Sequence, residues 1–114
     1  MGKPAKLLRI YTDEAAFIGD EQVSNYISSL ARELGMAGVT VVRAVLGYGH
    51  SAHIHRRRTF EHDRALVIEI IEEEAKLRSF VAALEGVPEI GLMTVADVEI
   101  IGGEGMQDLT DRLA

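Results

Sequence analysis

Apolar positions along the chain alternate between two periods. Residues 6–12 (KLLRIYT) are aliphatic and aromatic with no helical spacing, and predict a strand. From Asp20 the period lengthens. Val23, Tyr26, Ile27, Leu30 and Leu34 recur at three- and four-residue intervals, which predicts a helix. Asp20 stands where a helix N-cap is expected, with Glu21 favourable in the first turn. Gly35 is the expected stop, because glycine accepts the left-handed conformation just past a helix. Residues 38–46 (GVTVVRAVL) are rich in β-branched side chains and predict a second strand. Residues 65–71 (ALVIEII) predict a third. Glu72, Glu73 and Glu74 then open a second helix at its positive end, with Leu77, Phe80, Val81 and Leu84 as its apolar stripe and residues 86–88 as its end. A last strand lies within 92–101, most firmly 97–101. The order βαββαβ is the split βαβ pattern: an α+β, ferredoxin-like sandwich with one antiparallel sheet and two helices on one face. This divides the chain into an N-terminal extension, 1–5, a single domain, 6–102, whose long loop is 47–63, and a polar C-terminal tail, 103–114.

Strand residues alternate between faces. Leu8 and Ile10 oppose Leu7, Arg9 and Tyr11. Leu66, Ile68 and Ile70 oppose Val67, Glu69 and Ile71. Thr40, Val42, Ala44 and Leu46 oppose Val39, Val41, Arg43 and Val45, and Val98 and Ile100 oppose Asp97, Glu99 and Ile101. Two helices cover one face, so the other keeps many large apolar side chains. Arg9, Arg43, Glu69 and Glu99 are expected among them. An apolar face left uncovered marks an interface, and burial against other copies of the chain is the expected outcome. In the ferredoxin-like strand order Arg9 is expected to meet Glu69 or Glu99, and Arg43 to meet Glu69, because buried charges pair. The rival expectation is that one or both arginines bind a ligand phosphate.

Composition sharpens this picture. With 114 residues the chain fits one domain, and 47% hydrophobic residues argue against disorder. The net charge of −6 counts against a nucleic-acid binder. The absence of Cys excludes disulfides, thiolate metal sites and thiol catalysis. No apolar run approaches the ~20 residues of a transmembrane helix, and no targeting segment stands out, so the chain reads as a cytoplasmic protein.

The charge is unevenly spread. Residues 47–64 carry four Arg against Glu61 and Asp63, a local charge of +2, while the remainder carries −8. Within this segment Gly47, Tyr48 and Gly49 follow the second strand, where glycines permit positive φ or close approach to a ligand. Backbone N–H groups in such turns cradle anions, although an ordinary strand-ending turn uses the same residues. His50, Ser51, Ala52, His53, Ile54 and His55 come next, then Arg56, Arg57 and Arg58, with His62 beyond. Arginine forks match phosphate bidentately. Of three consecutive side chains in extended structure, Arg56 and Arg58 converge on one side. The four histidines leave a metal site open as an alternative, though their spacing matches no standard zinc module. No nucleophile elbow surrounds Ser51 and no Walker motif is present, so no catalytic constellation emerges.

The pieces LLRIY at 7–11, GVTVVR at 38–43, Gly47-Tyr48-Gly49 and LVIEI at 66–70, taken in order, resemble domain-of-unknown-function family 190, a set of small PII-like proteins. The resemblance runs from about Lys6 to Gly102. Ala44 departs from it, since members often carry glycine after the arginine. The resemblance implies a ferredoxin-like homotrimer with its sheets turned inward. It also implies that the long loop contacts a partner, such as a membrane transporter or an enzyme. Adenine nucleotides (AMP, ADP or ATP) are expected in the clefts between subunits, near Gly47, Tyr48 and Gly49. His53, Arg56 and Arg58 are the phosphate candidates by analogy, beside Arg43 and Arg9. No resident cofactor is expected. The phosphate-binding and uridylylation motifs of true PII signal proteins are absent. The leading expectation is therefore a non-enzymatic PII-like signalling protein. The alternatives are a metal-binding or metal-tolerance protein using the histidines, and an enzyme with active sites between subunits.

Overall fold

The computed structural model describes residues 2–44 and 65–103. Eight elements follow in order: β1 Lys3–Asp13, β2 Phe17–Ile18, β3 Glu21–Gln22, α1 Val23–Glu33, β4 Thr40–Arg43, β5 Ala65–Glu72, α2 Glu74–Leu84 and β6 Leu92–Ile100. The main sheet has the order β4-β5-β1-β6, all neighbours antiparallel. This is the expected α+β ferredoxin-like fold, with the first and third long strands at the centre.

Alternation in the two central strands decides which face is covered. Leu8 and Ile10 of β1 lie opposite Ile70 and Ile68 of β5, and all four are buried. With Val23, Ile27 and Ala31 of α1 and Leu77, Phe80 and Leu84 of α2 they form one core. Burying each large aliphatic side chain contributes about 1.5–3 kcal/mol relative to leaving it exposed.

The helix ends explain how the layers are joined. Gly35 (φ 77°) stops α1 as expected. Its N–H donates to the Arg32 carbonyl (3.1 Å), and the Met36 N–H to the Ala31 carbonyl (2.9 Å), which satisfies the last carbonyls of the helix. The Glu73 carboxylate caps α2, accepting from the Ala75 N–H (3.2 Å) and the Lys76 N–H (2.7 Å). Glu72, expected to open that helix, instead ends β5 and is completely buried. Its Oε1 accepts from the Ala37 N–H at 2.9 Å, and Lys76 Nζ donates to the Gly35 carbonyl at 2.9 Å. The start of α2 thus clasps the α1–β4 turn and fixes the approach to the edge strand β4.

Three more expectations change. First, α1 begins at Val23 rather than near Asp20. Asp20 sits with Gly19 (φ 62°) in the two-residue turn of the small hairpin β2–β3, and the helix has no side-chain N-cap. Turns and caps use the same polar residues, and the Gly-Asp pair favours the hairpin. Second, β1 starts at Lys3, because Lys3, Pro4 and Ala5 pair with Ile100, Glu99 and Val98. Third, Arg43 and Glu99 leave the face on which they were expected. Arg43 lies opposite the buried Leu66, and Glu99 opposite Pro4, two even-numbered positions on the helix side of their strands. The open face is instead formed by Leu7, Arg9 and Tyr11 of β1, Val67, Glu69 and Ile71 of β5, Thr40 and Val42 of β4, and alternate residues of β6 beginning at Leu92. Among its large apolar side chains, Tyr11, Val42, Ile71 and Leu92 are exposed.

Candidate functional site

Arg9 and Arg43 are the two candidate site residues within the described part of the chain, and they stand on opposite faces of the sheet. Arg9 sits on β1, one of the two central strands. Its Nε–H donates to Glu69 Oε2 at 2.9 Å, directly across the β1–β5 ladder. This hydrogen bond, with the carboxylate charge behind it, raises the guanidinium pKa above its ordinary value. The expected pairing of Arg9 with Glu69 is therefore present. Arg9 does not reach toward Glu99, which faces the other way from a position opposite Pro4.

Arg43 ends β4. Its guanidinium contacts the Glu14 carboxylate rather than Glu69. Register explains the change: Glu69 lies opposite Thr40, three residues back along β4. That is about 10 Å of strand, and an odd offset also turns the side chain to the other face. Glu14 carried no periodic signal in the sequence, since it follows β1 in a connection. Asp13 shapes that connection by accepting the Ala15 N–H on Oδ1 at 2.6 Å.

The same end of the sheet frames residues 45–64. The Ala44 N–H donates to the Ala65 carbonyl at 2.9 Å, so the two stems of the segment are hydrogen-bonded neighbours. Around this neck lie Arg43, Glu14, Asp13 and Thr12. Thr12 is opposite Leu66 and is buried, and its hydroxyl has no partner among the described residues. Its alternation with Leu8 and Ile10 was the sequence signal that it points inward. Gly47, Tyr48, Gly49, His53, Arg56 and Arg58 lie outside the described residues, as do His50, His55 and His62. Among the described residues no group of three or more His, Asp or Glu side chains is arranged to hold a metal ion. No helix of the described residues is long and apolar enough to cross a membrane.

These features define a class: an α+β ferredoxin-like domain with one apolar sheet face open and a histidine- and arginine-rich segment issuing from a hydrogen-bonded neck. Comparison with known proteins places the chain within it. Family DUF190, described as an uncharacterized ACR, matches residues 5–100. A UPF0166 protein of Aquifex aeolicus (strain VF5) is 39% identical over 98 residues, covering 84% of this chain and 92% of that protein. The chain belongs to the DUF190 family.

Solved structures share the fold. CPII, a nitrogen regulatory PII-like protein from Thiomonas intermedia K12 bound to ADP, AMP and bicarbonate, superimposes with a TM-score of 0.64 at 17% identity, over 89% of this chain and 99% of that one. The divalent ion tolerance protein CutA1 from Ehrlichia chaffeensis does so with a TM-score of 0.60 at 11% identity, over 100% and 98%.

Proposed function

We propose that this protein is a PII-like signalling protein that works as a homotrimer in the cytoplasm and has no catalytic activity of its own. An adenine nucleotide binds in the cleft between two copies, against Gly47, Tyr48 and Gly49, with His53, Arg56 and Arg58 on its phosphates. The nucleotide changes the order of the loop 47–63, and the loop carries that change to a partner, a membrane transporter or an enzyme. A ligand drives such a switch in so far as it binds the two loop states differently.

The observation that carries this reading is the neck. The Ala44–Ala65 hydrogen bond ties both ends of a segment bearing four arginines and four histidines to the rim of a rigid sheet. Such an attachment lets a bound anion act on the segment without disturbing the fold. Two further observations support it: a solved neighbour of the same fold carries ADP and AMP, and the open apolar sheet face suits burial against other copies. The structure also bears on the arginines. Arg9 pairs with Glu69 and Arg43 with Glu14, which favours Arg56 and Arg58 as the phosphate partners in this reading.

Calorimetry against AMP, ADP and ATP, with the double variant Arg56→Ala/Arg58→Ala as control, tests this proposal. Saturable nucleotide binding that the double variant loses supports it. Saturable binding of a divalent metal alone, lost when His50, His53, His55 and His62 are replaced, selects the metal-tolerance reading instead.

A further inference from the structure

We propose that the Arg9–Glu69 ion pair is the selectivity element of the open sheet face, admitting copies of this chain and excluding apolar or singly charged surfaces. The inference rests on the reading that copies of the chain cover this face. The pair occupies the two central strands, in direct register, flanked across the sheet by Thr94 opposite Arg9 and Thr40 opposite Glu69, and along the strands by Leu7, Tyr11, Val67 and Ile71. Solvent still reaches both ions: the Arg9 side chain is 43% exposed and the Glu69 side chain 34%. Their mutual bond uses Nε–H and Oε2, and Arg9 has a further side-chain hydrogen bond with Tyr11, which leaves the rest of the five guanidinium N–H donors and the second carboxylate oxygen for whatever covers the face.

Whatever covers the face strips water from the remaining donors and acceptors. An apolar partner leaves both ions short of hydrogen bonds, and a uniformly charged partner matches one and repels the other. A second copy meets both demands. It brings one positive and one negative group on the same kind of surface, so each ion faces an opposite charge after rotation. The pair contributes little to raw affinity, since replacing a buried ion pair by apolar residues is often neutral or favourable. Its effect lies in which partners are rejected.

The test uses the full chain in four forms: wild type, Arg9→Met, Glu69→Met and the double Arg9→Met/Glu69→Met. Light scattering after size exclusion gives the mass of each, and circular dichroism confirms that each is folded. Each single variant leaves one ion uncompensated and is expected to weaken self-association on the order of 30-fold or more. The double variant is expected to self-associate at least as well as wild type. Co-expression of wild type and double variant carrying different tags, followed by native mass spectrometry, is expected to give two separate homo-oligomers. The charge swap Arg9→Glu/Glu69→Arg keeps the pair and is expected to keep self-association. Statistical mixing of wild type with the double variant overturns the proposal, as do single variants that assemble like wild type. A wild type that stays monomeric at tens of micromolar overturns the assembly reading itself, and this proposal with it.

Discussion

Replacing Ile71 by aspartate separates folding from assembly. Ile71 lies on the open face of β5, opposite Leu7, and is 42% exposed in the single chain. Full burial of an isoleucine side chain contributes about 1.5–3 kcal/mol, so covering its remaining surface contributes roughly 0.6–1.3 kcal/mol per copy on that scale. Val42 at 45% and Leu92 at 55% lie on the same face. Together the three side chains account for roughly 2–4 kcal/mol per copy on assembly, the apolar part of what must offset the entropy of association. Ile71→Asp removes one of these contributions and adds the desolvation of a carboxylate, an effective penalty of several kcal/mol when an ion is buried. Within the single chain the cost is smaller, about 1–2 kcal/mol, because the side chain is already half in water. The variant is therefore expected to remain folded by circular dichroism and thermal melting, while sedimentation velocity at about 10 µM, chosen for an association in the micromolar range, finds monomer. A variant that sediments with the mass of wild-type oligomer refutes the claim that this face is buried between copies.

Three further predictions concern the chain itself. Phe80→Ala empties the centre of the core, where Phe80 is completely buried; it is expected to cost about 3–5 kcal/mol, read as a fall in Tm on the order of 15 °C or more. Glu73→Ala removes the carboxylate that accepts two N–H groups at the start of α2 and is expected to cost about 1 kcal/mol, measured by urea unfolding; an unchanged midpoint contradicts the capping role. The Asp97 carboxyl is held below its ordinary value of 3.8 by the hydrogen bond from Lys6 and then by the Lys6 charge. Because the folded-state pKa is depressed, the pair's contribution is present above the unfolded carboxylate pKa and is lost as pH falls through the folded one. An NMR titration is expected to place Asp97 at higher pH in Lys6→Met than in wild type, and to find the gap narrowed by salt.

The parts of this fold that were legible in the sequence are those with strong local periods. Leu8 and Ile10, and Leu66, Ile68 and Ile70, alternate cleanly because the sheet buries one side of each central strand. Gly35 marked the end of α1 because a left-handed residue is needed there. The hairpin over Phe17–Gln22 was not legible, since two-residue strands have no period and its Gly19-Asp20 turn resembles a helix start. The faces of Arg43 and Glu99 escape the sequence for a different reason. Alternation orders residues within a strand, but the match between strands is set by register, and a slip of one position reverses the face. Glu72 was hidden within a run of three glutamates that reads as the start of a helix; the structure divides that run into a buried strand end, a cap and a first helical residue. At the candidate site, Arg9 met Glu69 because both stand on central strands whose order the fold dictates. Glu14, the partner of Arg43, lies in an irregular connection that no periodicity announces.

In the proposed reading the arginine-rich segment held at the Ala44–Ala65 neck serves an adenine nucleotide. Titrating ADP into the purified chain by calorimetry tests it most directly. Saturable binding at one nucleotide per chain is expected, lost in Arg56→Ala/Arg58→Ala and retained when His50, His55 and His62 are replaced. No heat with ADP, AMP or ATP, in a protein that binds a divalent metal through those histidines, would contradict it.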